Sequence, residues 1–170
     1  TVTGTNFVKE NGSNNDIDVS KLSITGEGGS SYSLTSSDVE VSSKTAFSVT
    51  LNSADQLNVG GLLNKNGTSS DGGTTYNLAA ADNWLAGAAA SDDISDASGN
   101  GITVSNVAKP TLSSTAYNAA SGVLTVTGTN FVKENGSNND IDVSKLSITG
   151  EGGSSYSLTS SDVEVSSKTA

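Results

Sequence analysis

The stretch TVTGTNFVKENGSNNDIDVSKLSITGEGGSSYSLTSSDVEVSSKTA, Thr1–Ala46, recurs letter for letter as Thr125–Ala170. The offset between the copies is 124 residues, from Thr1 to Thr125. That is a domain length, not the period of a solenoid or a propeller. The repeating unit is therefore expected to be a bead of 124 residues, present about one and a third times among the 170 residues. Both ends of the chain fall inside the repeat, so it reads as a window on a longer tandem array.

The residues absent from the chain exclude whole classes of function. There is no His and no Cys, and all eight cations are Lys. Without Cys there is no disulfide, thiolate nucleophile or Cys-ligated metal. Without His the usual general base and the commonest transition-metal ligand are missing. Eighteen Asp and Glu against eight Lys give a net charge of −10. A net anion without Arg is poorly suited to DNA or RNA, where affinity rests on neutralising phosphates. No apolar run is long enough for a membrane span.

Only 33% of the residues are hydrophobic, but they are ordered in short alternating runs separated by turn signals. Thr111–Tyr117 reads as a first strand and Val123–Gly128 as a second, with Leu124 and Val126 on one face. A polar loop holding Phe131 follows. The run from Ile141 to Ile148 breaks parity between Val143 and Leu146, which predicts a bulge or bend. Tyr156/Leu158 and Val163/Val165 each alternate as strands. The first copy continues with Phe47, Val49 and Leu51 at period two. Ser53 is a candidate N-cap for a short helix carrying Leu57, Leu62 and Leu63, weakened by Gly60-Gly61. Thr74–Ala80 reads as a strand, the stretch around Trp84 and Leu85 as a helical turn, and Ile102–Val107 as a last strand. The NGS at Asn11–Ser13 and the NGT at Asn66–Thr68 fit a glycosylation pattern, but Asn-Gly is foremost a hairpin turn.

Seven or eight short strands per unit, with turns every 8–12 residues, describe an all-β chain. The expected fold is an immunoglobulin-like antiparallel β-sandwich with Greek-key links, in tandem repeats of 124 residues. Residues 1–108 would be one repeat lacking its first strand, and 109–170 the N-terminal part of the next. Each piece would leave an edge or an apolar face open, which is unfavourable in water. Strand sharing between neighbouring repeats or subunits would resolve this, with residues 109–124 pairing with another bead or chain.

VLTVTGTNF, Val123–Phe131, resembles the second-strand motif of the IPT/TIG family of immunoglobulin-like domains. Most of the remaining unit, including GNGITVSNV and NGTSSDGGTTYNLAAADNWLAG, is similar to tandem repeats of giant bacterial surface proteins and adhesins. The insertion between Leu51 and Tyr76 departs from a minimal domain of that family. The resemblance implies an extracellular or cell-surface stalk, fibre or adhesin extender, commonly calcium-loaded, and no catalysis.

Two acidic clusters offer hard oxygen ligands of the kind Ca2+ takes. One holds Asp92, Asp93 and Asp96 before the last strand; the other holds Asp16 and Asp18, repeated as Asp140 and Asp142. Neither has EF-hand spacing, and Asp, Asn and Gly also simply make turns. The partners implied are neighbouring copies of the same repeat or chain. A loop-mediated glycan- or protein-binding module is the competing class, and an exposed cluster of Tyr and Trp would favour it.

Overall fold

A computed structural model gives the fold and describes every residue except Ser13, Gly136 and Ser137. The chain is mainly β, built from small open antiparallel sheets with one α-helix among the described residues. It divides into two units, Thr1–Val107 and Ala108–Ala170.

In Thr1–Val107, strands β1 (Val2–Thr3), β4 (Val41–Ser43) and β5 (Ala46–Phe47) form a sheet ordered β1-β5-β4. Strand β1 is at its edge. Strands β2 (Leu22–Thr25), β3 (Ser31–Ser33) and β6 (Asn77–Ala80) form a second sheet ordered β3-β2-β6. Its central register sets Ile24 opposite Tyr32 on one side and Leu78 on the other. Helix α1 (Ser53–Leu62) turns Leu57, Val59 and Leu62 inward. The core gathers Ile17, Val19, Leu22, Phe47 and Leu62, each at most 2% exposed.

The parity break in the Ile17–Ile24 run is a 3-10 turn, Val19–Lys21. Asp18 caps it by accepting the Ser20 N–H at 3.0 Å, and the turn returns Leu22 and Ile24 to the core face. The helix begins one residue earlier than its sequence signal. Asn52, not Ser53, is the N-cap, and its side-chain oxygen accepts the Asp55 N–H at 2.8 Å.

Three expected elements take other forms. The segment around Trp84 is a set of turns rather than a helical turn, because Asn83 adopts a left-handed conformation (φ 61°) that no helix accommodates. Ile102–Val107 is not a continuous strand. Val104 bridges Gly67 and Gly101 bridges Asn77, and Asn106 (φ 60°) ends the extended run. Beyond Phe47, Val49 and Leu51 stay half-buried without pairing as a strand. At the two Asn-Gly pairs, Gly67 has the positive φ of a turn, whereas Ser13 of the NGS stretch lies outside the described residues.

In Ala108–Ala170, β7 (Thr111–Asn118) and β8 (Val123–Thr129) form a hairpin, and β9 (Ser147–Thr149) and β10 (Ser155–Ser157) a second one. Asn118 organises the first turn, its side chain accepting the Ala120 N–H at 3.0 Å. Strand β7 pairs with β8 of its own unit along one edge.

Candidate interaction face

The two identical segments build the same local scaffold. Gly4 donates to the Thr45 carbonyl at 3.0 Å, and Gly128 to that of Thr169 at 3.0 Å. Asp16 accepts the N–H groups of Glu10 (2.6 Å) and Val41 (2.9 Å); Asp140 accepts those of Glu134 (2.6 Å) and Val165 (2.8 Å). Asp38 takes the Val19 N–H, and Asp162 the Val143 N–H, each at 2.9 Å. Lys9 pairs with Glu40, and Lys133 with Glu164. These contacts all lie within the 46-residue stretch, so they form wherever it occurs.

The Gly-Thr-Asn-Phe motif has a direct physical reading in both copies. Asn6 and Asn130 sit in the left-handed region (φ 58° and 59°), which Asn tolerates better than most residues. The turn folds the next ring back under the strand. A Cβ on Gly4 would lie 2.6 Å from the Phe7 ring, and one on Gly128 would lie 2.6 Å from the Phe131 ring. Only glycine leaves that space, so the motif is a plug and its seat.

The copies differ in what covers them. In Thr1–Val107, the segment Phe47–Val107 lies over the scaffold: β6 lines β2, and the Trp84 ring meets Phe7 edge-on at 5.5 Å. Leu85 and α1 complete the cover. In Ala108–Ala170 the corresponding face is open. Ile148 and Tyr156 are exposed, where Ile24 is buried and Tyr32 half-buried. A cavity of about 460 Å³ opens among Leu124, Phe131, Ile141, Val143, Leu158 and Val163. Apart from Leu124, which has no counterpart in Thr1–Val107, these residues correspond to Phe7, Ile17, Val19, Leu34 and Val39 of the first unit's core.

One polar group on the covering segment anchors it. Asp55, fully buried on α1, accepts the Thr35 N–H (3.0 Å), the Thr35 hydroxyl (2.6 Å), the Ser36 N–H (2.8 Å) and the Tyr32 hydroxyl (3.0 Å). The Ser36 hydroxyl donates to it as well. Burial pushes its pKa up, but the Ser36 and Thr35 hydroxyls, the Thr35 N–H and the Tyr32 hydroxyl outweigh burial and hold it below the usual carboxylate value. The counterparts of these donors, Thr159, Ser160 and Tyr156, are all exposed. Sequence reading missed Asp55. Its signal was its place three residues after Asn52, where a first-turn carboxylate faces back along the chain.

Of the acidic residues named as calcium candidates, Asp16, Asp18 and Asp93 engage their carboxylates within the fold, whereas Asp92 and Asp96 are held through their backbones. Asp16 is buried and clamps two backbone amides; burial raises its pKa, but the N–H groups of Val41 and Glu10 prevail and lower it. Asp18 caps the 3-10 turn. Asp93 accepts the Ser95 N–H at 2.9 Å, and its hydrogen bonds to Ser95 lower its pKa. Asp96 pairs with Ala80 through its backbone in both directions at 2.8 Å, and the Asp92 N–H donates to the Ala89 carbonyl. Among the described residues no three acidic side chains come together as a metal-holding group. No described helix is long and apolar enough to cross a membrane.

No family model, no curated protein and no solved structure matches this chain.

Proposed function

We propose that the chain is a structural segment of an extracellular fibre, stalk or adhesin extender, built from 124-residue immunoglobulin-like sandwich beads. The observation that carries this reading is the identical 46-residue segment at both ends, covered in one copy and bare in the other. Length and cohesion are the work assigned to it, with no catalytic step. Strands and covering segments are shared between successive repeats or subunits.

Placement of the aromatic residues favours the spacer over the loop-mediated binding module. Trp84 packs on Phe7 and Phe47, and Tyr76 is fully buried. Tyr156 is exposed, but its counterpart Tyr32 hydrogen-bonds to Asp55 under the covering segment. Its exposure thus reflects a missing neighbour rather than a glycan platform.

A bead of this size has a radius of gyration of about 14 Å and adds roughly 35–40 Å of reach. Small-angle scattering on arrays of increasing repeat number tests the proposal. It predicts a maximum dimension that rises by that increment per repeat. A dimension growing only as the cube root of mass contradicts it.

A further inference from the structure

Four Asn-Gly pairs occur in the chain: Asn11–Gly12, Asn66–Gly67, Asn100–Gly101 and Asn135–Gly136. In such a pair the glycine nitrogen can attack the preceding side-chain amide, because glycine has no Cβ to crowd the ring that forms. We propose that Asn11–Gly12 is a self-modification site, where Asn11 converts to isoaspartate and aspartate, and that the fold shields Asn66 and Asn100 from the same reaction. The site is independent of the extender reading above.

The chemistry needs only water. The Gly12 nitrogen bonds to the Asn11 side-chain carbonyl carbon and loses its proton, and the side-chain nitrogen leaves as ammonia. The product is a five-membered succinimide. Water then adds to one of its two carbonyl carbons and breaks the bond to nitrogen, giving isoaspartate or aspartate. One water is consumed and one ammonia released, with no change in oxidation state. The neutral amide becomes a carboxylate, on a chain whose net charge is already −10.

The structure separates the pairs. Asn11 and Gly12 are exposed, and among the described residues neither is held by a hydrogen bond. A Cβ on Gly12 would meet only the Asn14 nitrogen, at 3.9 Å. The loop is anchored on either side of the pair. The Glu10 N–H donates to Asp16 at 2.6 Å, and the Asn15 side chain donates to the Asp38 carbonyl at 2.8 Å. The extra backbone carbon of an isoaspartate falls between these anchors and leaves them in place. At Asn66, by contrast, the side-chain oxygen accepts the Val107 N–H at 2.9 Å, and the Gly67 N–H is engaged with the Val104 carbonyl at 2.9 Å. Asn100 is held through its backbone and its side chain. Its N–H donates to the Asn77 side chain at 3.0 Å, and its carbonyl accepts the Leu78 N–H at 3.0 Å. Its side-chain amide donates to the carbonyls of Leu78 (3.0 Å) and Asp96 (3.3 Å). These hydrogen bonds must open before either side chain can swing onto the next nitrogen. Asn135, the counterpart of Asn11, is half-buried, and Gly136 lies outside the described residues.

Full-length Asn135→Gln protein is incubated in mildly alkaline buffer, folded in one sample and unfolded in urea in another. Both are cut after lysine and read by mass spectrometry. Lys9 and Lys21 bound the Asn11 fragment, and the substitution at 135 separates it in mass from its repeat. Lys65 precedes the fragment that carries Asn66 and Asn100. In the folded chain, isoaspartate is expected to form at Asn11 about tenfold faster or more than at Asn66 or Asn100, the order of the factor set by breaking two hydrogen bonds. In urea the three sites are expected to react at similar rates. Gly12→Ala is expected to suppress the Asn11 product and leave the thermal midpoint unchanged. Asn66 or Asn100 reacting as fast as Asn11 in the folded chain would overturn the inference. So would an Asn11 that stays intact in the folded chain while the urea sample converts, or an Asn11 product undiminished by Gly12→Ala. A lead for Asn11 that persists in urea would overturn shielding by the fold.

Discussion

Ile24 and Ile148 occupy the same position in two identical segments, yet Ile24 is 7% exposed and Ile148 is 44% exposed. Their cross-strand neighbours on one side match as well, Tyr32 and Tyr156. Leu78 stands on the other side of Ile24 alone. The difference in burial therefore arises from the covering segment, not from the residue or its local ladder.

Truncating the two isoleucines should separate these contributions. Ile24→Ala removes a packed side chain and is expected to destabilise Thr1–Val107 by about 2–5 kcal/mol. Ile148→Ala in the isolated chain should change stability by about 0.5 kcal/mol or less. Urea unfolding of each variant, at a concentration too low for association, measures both.

Gly26 and Gly150 should diverge in the same way. Gly26→Ala drives a Cβ into the Leu62 carbonyl, a backbone atom that has little freedom to move, and is expected to cost about 1–3 kcal/mol. Gly150→Ala meets open space and should leave the isolated chain's thermal midpoint unchanged.

Asp55 should set part of the acid sensitivity. Its folded pKa lies below its unfolded value, so its stabilisation is fully present above the unfolded carboxyl range and is lost as pH falls through the folded pKa. Asp55→Asn is expected to lower stability at pH 7 by about 3 kcal/mol, since several hydrogen bonds lose their charged acceptor. It should also flatten the decline in stability below about pH 4. Asp16 titrates in the same direction, so some slope will remain. Denaturant unfolding of both proteins across acid pH gives the comparison.

Trp84 is the sole tryptophan and touches Phe7 and Phe47, so its emission reports on Thr1–Val107. Phe7→Ala should shift that emission to the red and cost about 3–5 kcal/mol. Phe131→Ala, the same change in the second copy, should leave both the spectrum and the Trp-detected midpoint unchanged.

Much of the β organisation was legible because it is local. The alternation in Val123–Gly128 becomes β8, with Leu124 and Val126 more covered than Val123 and Thr125. The parity break before Leu22 marks a real interruption, though a capped 3-10 turn rather than a bulge. What escaped sequence reading depends on partners distant in the chain. Asp55 looks like an ordinary first-turn carboxylate until the Tyr32–Ser36 segment folds against it. Gly26 looks like a turn residue until Leu62 arrives. The turns at Asn83 and Asn106 rest on single left-handed residues, which apolar periodicity does not register. Asp in a loop reads alike in sequence whether it caps, clamps or chelates, so the capping by Asp18 and the clamping by Asp16 were not legible there.

The central claim is that Thr125–Ala170 needs only a Phe47–Val107 sequence to become what Thr1–Ala46 already is. The most direct measurement is amide hydrogen exchange on the chain extended past Ala170 by one further copy of that sequence. The account predicts that the Ser147 and Thr149 amides, which point to the unpaired edge of β9, become as protected as those of Ser23 and Thr25, which face Ala79 and Asn77 of β6. Ser147 and Thr149 amides that still exchange freely in the extended chain would contradict it.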